Sequence, residues 1–284
     1  MRILDGPIGT QLIARGIPAP PPLWSATALQ TAPQAVGALH REYAQAGACL
    51  HTTNTFRTQP RHTQNWEVLA RKAVHLARQA GGRVVGSLAP LEDCYRPDLS
   101  PPEPFPEHLQ LARVLVEEGV DLLLCETFAN PLELVEAVHA ARTAGASEVW
   151  ASLTPGYRCE LLTPAELAAG AQAAIDAGAD LVLANCMPAL RALPYAQALA
   201  ALDHPFGIYA NAGDPLDQLG WELPSPDAAE RYADLAERWA ALGAQVIGGC
   251  CGTGPEHIRA LHERLLPQSS RSITQAIDSE RASS

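Results

Sequence analysis

The run with the clearest chemical potential is Gly248-Gly249-Cys250-Cys251-Gly252-Thr253-Gly254. Adjacent cysteines rarely bond to each other, because the ring that would close is strained. On a strand that simply continued, their sulfurs would point to opposite faces. Glycines on both sides suggest a backbone that bends so that both sulfurs face one point. Three thiolates with one open position make a zinc site, and Cys186, at the end of a strand-like run, can supply the third sulfur. Spacing alone leaves two readings open, a zinc site and a buried structural pair.

Residues this far apart need a scaffold that gathers strand ends. Strand-like runs at 2–4, 48–52, 83–88, 121–125, 148–153, 180–184, 206–210 and 245–248 alternate with helical patterns at 33–46, 68–80, 107–118, 131–144, 164–177, 190–201, 228–242 and 255–265. Strict alternation predicts a parallel sheet. Eight units predict an α/β fold closed as a single (β/α)8 barrel over residues 1–266. The 5–10 turn, with only two glycines, is too weak for a dinucleotide-binding fingerprint. Gly-Ala or Gly-Val pairs after the helices read as αβ turns that carry no chemistry. Proline-rich 17–23 and 97–106 read as covering loops, and polar, Ser-rich 267–284 as a disordered tail.

In such a barrel the chemistry sits on the loops after the strands. Those positions hold Asp5-Gly6-Pro7, Thr53-Asn54-Thr55-Phe56, Cys125-Glu126-Thr127-Phe128, Asn185-Cys186-Met187, Asn211-Ala212-Gly213 and the double-cysteine run. Polar and thiol residues therefore gather at one rim above apolar strands, as an active site requires.

The net charge of −11 disfavours nucleic acid and anionic lipid as partners. No apolar run reaches the length of a membrane span, and no secretory leader is evident at the N-terminus. A cytoplasmic protein is expected. Seven cysteines, odd in number and scattered, do not read as a disulfide framework. The sequence leaves a homo-oligomer open.

From Asp5 to about Leu266 the chain resembles the homocysteine S-methyltransferase family. The resemblance rests on Asp5-Gly6 with Gly9-Thr10-Gln11-Leu12, on Thr53-Asn54-Thr55-Phe56, Glu126-Thr127-Phe128 and Asn185-Cys186, and on Gly248-Gly249-Cys250-Cys251-Gly252-Thr253. The Thr-Asn-Thr-Phe and Asn-Ala-Gly pieces look closest to the homocysteine module of cobalamin-dependent methionine synthase. The resemblance implies Zn2+ held by Cys186, Cys250 and Cys251, homocysteine as methyl acceptor, and methionine as product. A free thiol titrates near about 8.5 and only the thiolate is nucleophilic, so a metal that deprotonates it removes the need for a separate base. An amino acid substrate also needs a carboxylate for its ammonium, for which Glu126 and Asp5 are the candidates. Thr55, Asn54 and nearby backbone N–H groups are candidates for its carboxylate, and Asn185 for orienting the metal shell. Bland readings stand beside these: Asp5 as a turn former, Glu126 as a buried salt-bridge partner, Asn54 as a satisfied loop amide.

Other residues read as packing. Nothing pairs His51 or His75 at ligand spacing, and His257 sits at a helix start. Cys49, Cys94, Cys125 and Cys159 share no spacing. Met187 and Trp221 could line a donor pocket but read first as core. Pro7 departs from the small residue usual after Asp-Gly in the family. It removes an N–H, which opens the acceptor to another small thiol or a selenol. With no folate or cobalamin module attached, the donor is expected to be a diffusible sulfonium or betaine-type compound, or a separate methyl-corrinoid protein, with S-methylmethionine or S-adenosylmethionine preferred. The rival from another class is a non-catalytic zinc-thiolate redox or metal sensor.

Overall fold

The computed structural model describes residues 1–213 and 226–266. Trp221 and the 267–284 tail lie outside the described residues. Eight strands follow one another as β1 (Arg2–Ile3), β2 (Leu50–Thr52), β3 (Arg83–Leu88), β4 (Leu122–Phe128), β5 (Val149–Leu153), β6 (Leu181–Pro188), β7 (Phe206–Asn211) and β8 (Val246–Gly249). Every neighbouring pair is parallel, in the order β1-β8-β7-β6-β5-β4-β3-β2. The two end strands meet through a parallel bridge between Leu4 and Leu50. Asp5 N donates to Leu50 O at 3.0 Å, and Cys49 N to Ile3 O at 3.0 Å. The sheet therefore closes into the expected (β/α)8 barrel.

Side-chain alternation sorts the core into two layers. On β4, Leu122 and Leu124 fill the lumen while Leu123 and Cys125 face the helices; on β6, Leu181 and Leu183 are inside while Val182 and Ala184 are outside. The lumen is plugged by Leu4, Leu50, Val85 and the fully buried Trp150. It is a packed core, so ligands are confined to its mouth. Cys186 and Cys250 form the top of that inner cluster.

Two helix starts follow the usual polar chemistry. Asn130 accepts from the N–H groups of Leu132 and Glu133 before the helix Pro131–Thr143, and Thr163 with Glu166 makes a capping box before Pro164–Asp176. Helix ends use the recurring glycines as turns into the next strand, as at Gly178 with φ 108°. Short elements that were not expected include a helix at Gly9–Ala14, a 3-10 helix at Trp24–Thr27 and a four-residue α-helix at Ala28–Thr31. The 97–106 loop contains a 3-10 turn at Pro97–Leu99 and the first residues of the helix Phe105–Glu117. Among the described residues no helix is long and apolar enough to cross a membrane.

β4 and β6 run past their expected ends, and both overruns contain a shift of register. The irregularity on β4 lies between Cys125 and Phe128, and that on β6 between Asn185 and Pro188. Each contains a non-glycine residue in the left-handed region, Thr127 at φ 67° and Cys186 at φ 53°. Such bulges re-aim side chains and are concentrated near active sites.

Candidate active site

The bulge on β6 decides where Cys186 points. By alternation Asn185 faces inward and Cys186 should face the helices. The left-handed turn at Cys186 instead carries its sulfur to the barrel mouth, so that two successive residues serve one site. A related device acts after β8. Cys250 N donates to Ala210 O at 2.9 Å as a ladder residue would, but the Cys250 carbonyl turns to Thr253, accepting from its N–H at 3.1 Å and its Oγ1 at 2.8 Å. The carbonyl of Cys251 then takes the bond from Ala212 N at 2.9 Å. One extra residue is absorbed, and both sulfurs face the same point. Gly248 is required on steric grounds, since a Cβ there would lie 2.7 Å from Leu4 Cβ, and Gly252 turns at φ 80°.

The outcome is a compact trio. The Sγ atoms of Cys186, Cys250 and Cys251 all lie within 4.8 Å of one another, those of Cys186 and Cys250 at 2.7 Å. All seven cysteines are free. Hydrogen bonds from Cys186 and Cys250 hold the Cys251 thiol well below its usual range, and the same contacts push Cys186 up. Asn185 lies beneath it: Oδ1 accepts from Ser152 Oγ at 2.8 Å, and Nδ2 donates to Thr127 Oγ1 at 2.8 Å and reaches Cys250 Sγ at 4.0 Å.

The sulfurs open onto a cavity of about 490 Å³ whose wall includes Asp5, Asn54, Glu126 and Tyr209. Glu126 follows Leu122 and Leu124 in phase, so it points into the barrel mouth. It accepts from Ser87 Oγ and, at 3.4 Å, from the Tyr209 hydroxyl. Burial raises it to about 7, with the Cys250 thiol adding to the effect. Asp5 accepts from Thr52 N and Thr52 Oγ1, both at 2.9 Å, and burial raises it well above the carboxylate range. Among the described residues neither acid has a Lys or Arg partner. The bland reading of Glu126 as a buried salt-bridge partner therefore does not describe what surrounds it.

A profile of the family described as homocysteine S-methyltransferase matches residues 2–265. The chain belongs to the homocysteine S-methyltransferase family. Among its relatives is the Escherichia coli (strain K12) homocysteine S-methyltransferase, 31% identical, with the match spanning 92% of this chain and 94% of the relative. Another is the selenocysteine Se-methyltransferase of Brassica oleracea var. italica, 26% identical over 94% of this chain and 90% of that one. The crystal structure of the E. coli homocysteine methyltransferase MmuM in metallated form superposes with a TM-score of 0.78 at 26% identity, covering 93% of this chain and 96% of that one. Its apo form gives 0.70.

The remaining residues of this homocysteine S-methyltransferase family enzyme divide less simply. Asn54 borders the cavity, yet its amide is paired on both sides, accepting from Ser25 Oγ at 2.7 Å and donating to Ser25 O at 3.0 Å. Thr55 is fully buried and is not brought to the cavity. Its hydroxyl donates to Ser87 O at 2.8 Å and meets Thr53 Oγ1 at 2.8 Å. It braces the turn that presents Thr53 and Asn54. Met187 packs in the outer layer. His75 is exposed, and His257 is buried, with Nδ1 accepting from Gly254 N at 3.1 Å.

Two features escaped the sequence. Cys94 lines the same cavity as the metal-site thiols, and burial pushes it up to about 12. His51, alone in sequence, meets His40 behind Asp5. One ligand atom from each of Asp5, His40 and His51 lies within 4.8 Å of the other two, and all three residues are buried. Burial lowers His40 to about 3 and His51 to about 4, so both rings are neutral. The pairing needs strand β2 packed on the helix Pro33–Gln45, a contact no local spacing encodes.

Proposed function

We propose that this enzyme transfers a methyl group to the thiol of L-homocysteine at a zinc ion held by Cys186, Cys250 and Cys251, giving methionine, with a small onium compound such as S-methylmethionine or S-adenosylmethionine as donor. The observation that carries this reading is the coexistence, in one cavity, of three gathered sulfurs and two carboxylates, Asp5 buried and Glu126 half-buried, that have no Lys or Arg partner among the described residues. The donor set fits the metal. Three soft thiolates facing one point with a flank open to a cavity suit zinc with a fourth position for substrate. When bound, zinc supplies the positive charge that keeps a substrate thiol deprotonated near neutral pH.

The chain's own residues do the rest. Asp5 and Glu126 hold the substrate ammonium, whose charge offsets their burial and keeps both ionised. Asn185 orients Cys250. The cavity, closed below by Leu4 and the packed lumen, excludes water and aligns the two reactants. The homocysteine thiol gives its proton to solvent, and a sulfur electron pair forms the new bond to the methyl carbon. The donor's C–S bond breaks with its pair left on the donor sulfur, which becomes a neutral thioether. We place the enzyme in the reducing cytoplasm, where its seven thiols stay free.

A selenol acceptor is the second reading, favoured by one observation. Pro7 lines the cavity without an N–H, and its carbonyl is already taken by the Tyr43 hydroxyl at 3.0 Å. The test begins with zinc content and zinc-edge X-ray absorption on reduced protein. About one zinc per chain, with three sulfur neighbours rising to four on adding homocysteine, is expected. No metal, or a sulfur count that homocysteine leaves unchanged while selenocysteine adds a selenium neighbour, overturns the homocysteine assignment.

A further inference from the structure

Behind Asp5, beyond the wall of the cavity, two histidines stand with ring nitrogens that nothing satisfies. His40 lies on the helix Pro33–Gln45 and His51 on β2, where Leu50 faces the lumen and the next side chain faces the helices. Asp5 comes beside them at the closing seam of the barrel, its N–H bonded to Leu50 O. Both histidines are at 1% exposure or less. Among the described residues, Nδ1 and Nε2 of His40 and Nδ1 of His51 have no hydrogen-bond partner. His40 Nδ1 stands 3.9 Å from Asp5 Oδ2, too far for a hydrogen bond. The other buried histidines are satisfied, His108 by Glu133 at 3.2 Å and His257 by Gly254 N at 3.1 Å. Buried polar atoms are ordinarily paired, so three unpaired nitrogens at one place call for a ligand.

The residue types fit a metal. One ligand atom from each of Asp5, His40 and His51 lies within 4.8 Å of the other two. Two imidazoles and one carboxylate suit a divalent transition ion such as Zn2+, Co2+ or Ni2+. Burial holds both rings neutral, the form that ligates. Thr52 orients the carboxylate by bonding each oxygen once, and each oxygen keeps a second lone pair. Ligands at about 2.1 Å from a tetrahedral ion lie about 3.4 Å apart, so binding draws the trio together by about an ångström. With one negative charge against three at the thiols, this is the weaker of the two sites. It fills when metal is in excess.

We infer that Asp5, His40 and His51 form a second metal site, for a divalent transition ion, whose occupation weakens acceptor binding. Asp5 also lines the cavity, and an ion behind it offsets the negative charge that holds the substrate ammonium. The site stands on its own residues, while its effect on the acceptor rests on the methyltransferase reading above.

The test titrates purified protein, washed free of loose metal, with Zn2+ and with Co2+. A second equivalent should bind at higher metal concentration than the first. By zinc-edge absorption it should bring nitrogen and oxygen neighbours, so the mean sulfur count per zinc falls by about half. With Co2+ the first equivalent should give strong sulfur-to-metal charge transfer, and the second only weak d–d absorption. His40→Gln and His51→Gln should each lose the second equivalent and keep the first. Cys250→Ala in excess metal should keep the second alone. Excess zinc should raise the KM of homocysteine by about fivefold or more, and saturating homocysteine should weaken the second equivalent by the same factor. His51→Gln should show neither effect.

No second equivalent in the wild type, which would leave a buried water only, would overturn the site. So would a second equivalent that survives both histidine substitutions or that has sulfur neighbours. An unchanged homocysteine KM at full occupancy would overturn the effect on the acceptor. A first equivalent without three sulfurs counts instead against the methyltransferase reading and leaves the second site standing. If a histidine variant fails to fold, the sulfur count and cobalt spectrum of the wild type decide.

Discussion

The two walls of the cavity are built by different means. The thiol wall is made of strand: bulges in β6 and after β8 turn Cys186, Cys250 and Cys251 to one point, and the main-chain ladder holds them there. The facing wall is made of loop, its turns braced by side chains such as Thr55 on Ser87 and Arg57 on Pro90 and Glu92. A metal site demands sulfur positions fixed to fractions of an ångström, which a closed sheet supplies. A wall that admits a second substrate is better served by loops, whose side chains change without disturbing the barrel.

If the thiol wall is built onto a barrel that stands without it, removing a ligand should cost metal and not fold. Cys250→Ala or Cys251→Ala should bring zinc from about one per chain to near zero and abolish turnover. Far-UV circular dichroism should be unchanged, and unfolding of either variant would show that the pair is structural. A smaller effect is expected beneath the same wall. Asn185→Ala removes the amide between Thr127 and Cys250 and should weaken zinc binding by about 10–100-fold, measured by competition with a chelator. An unchanged affinity would confine Asn185 to packing.

The floor behind Asp5 gives a third contrast, set chiefly by burial. His40 and His51 are held neutral, with folded-state values of about 3 and about 4. In the unfolded chain they take up protons near 6.5. Each therefore contributes stability that is present above about pH 6.5 and is lost as pH falls towards its folded value. Urea unfolding should show a free energy that drops between pH 6.5 and 4, and His40→Gln should remove about 1.4 kcal/mol per pH unit of that slope. A slope that survives the substitution would place the titration elsewhere. The smallest effect belongs to Cys49, exposed on the outside with its thiol near Ile3 O at 3.5 Å. Cys49→Ser should leave zinc content unchanged and stability within about 0.5 kcal/mol.

Much of the thiol wall was legible because its signal is local. Glycines crowding two adjacent cysteines mark a bend wherever they occur, and Glu126 is placed inward by counting twos along β4. Asn54 and Thr55 were legible as a turn but not by role, since their partners, Ser25 and Ser87, come from other loops. Arg57, Cys94 and the His40–His51 pair were silent for the same reason: each has its meaning only through residues that the fold, not the local sequence, brings near.

The sequence by itself determined the alternation of eight strands and helices, the rim on which polar residues fall, and the thiol run, because periodicity and glycine placement act over a few residues. Only the tertiary structure decided that Cys186 escapes its alternation, that Thr55 turns away from the cavity, and that His40 meets His51 behind Asp5. Those outcomes depend on strand register, on the closure of β1 against β2, and on which loop carbonyls meet which side chains. Such properties belong to the closed barrel and to no single segment of it.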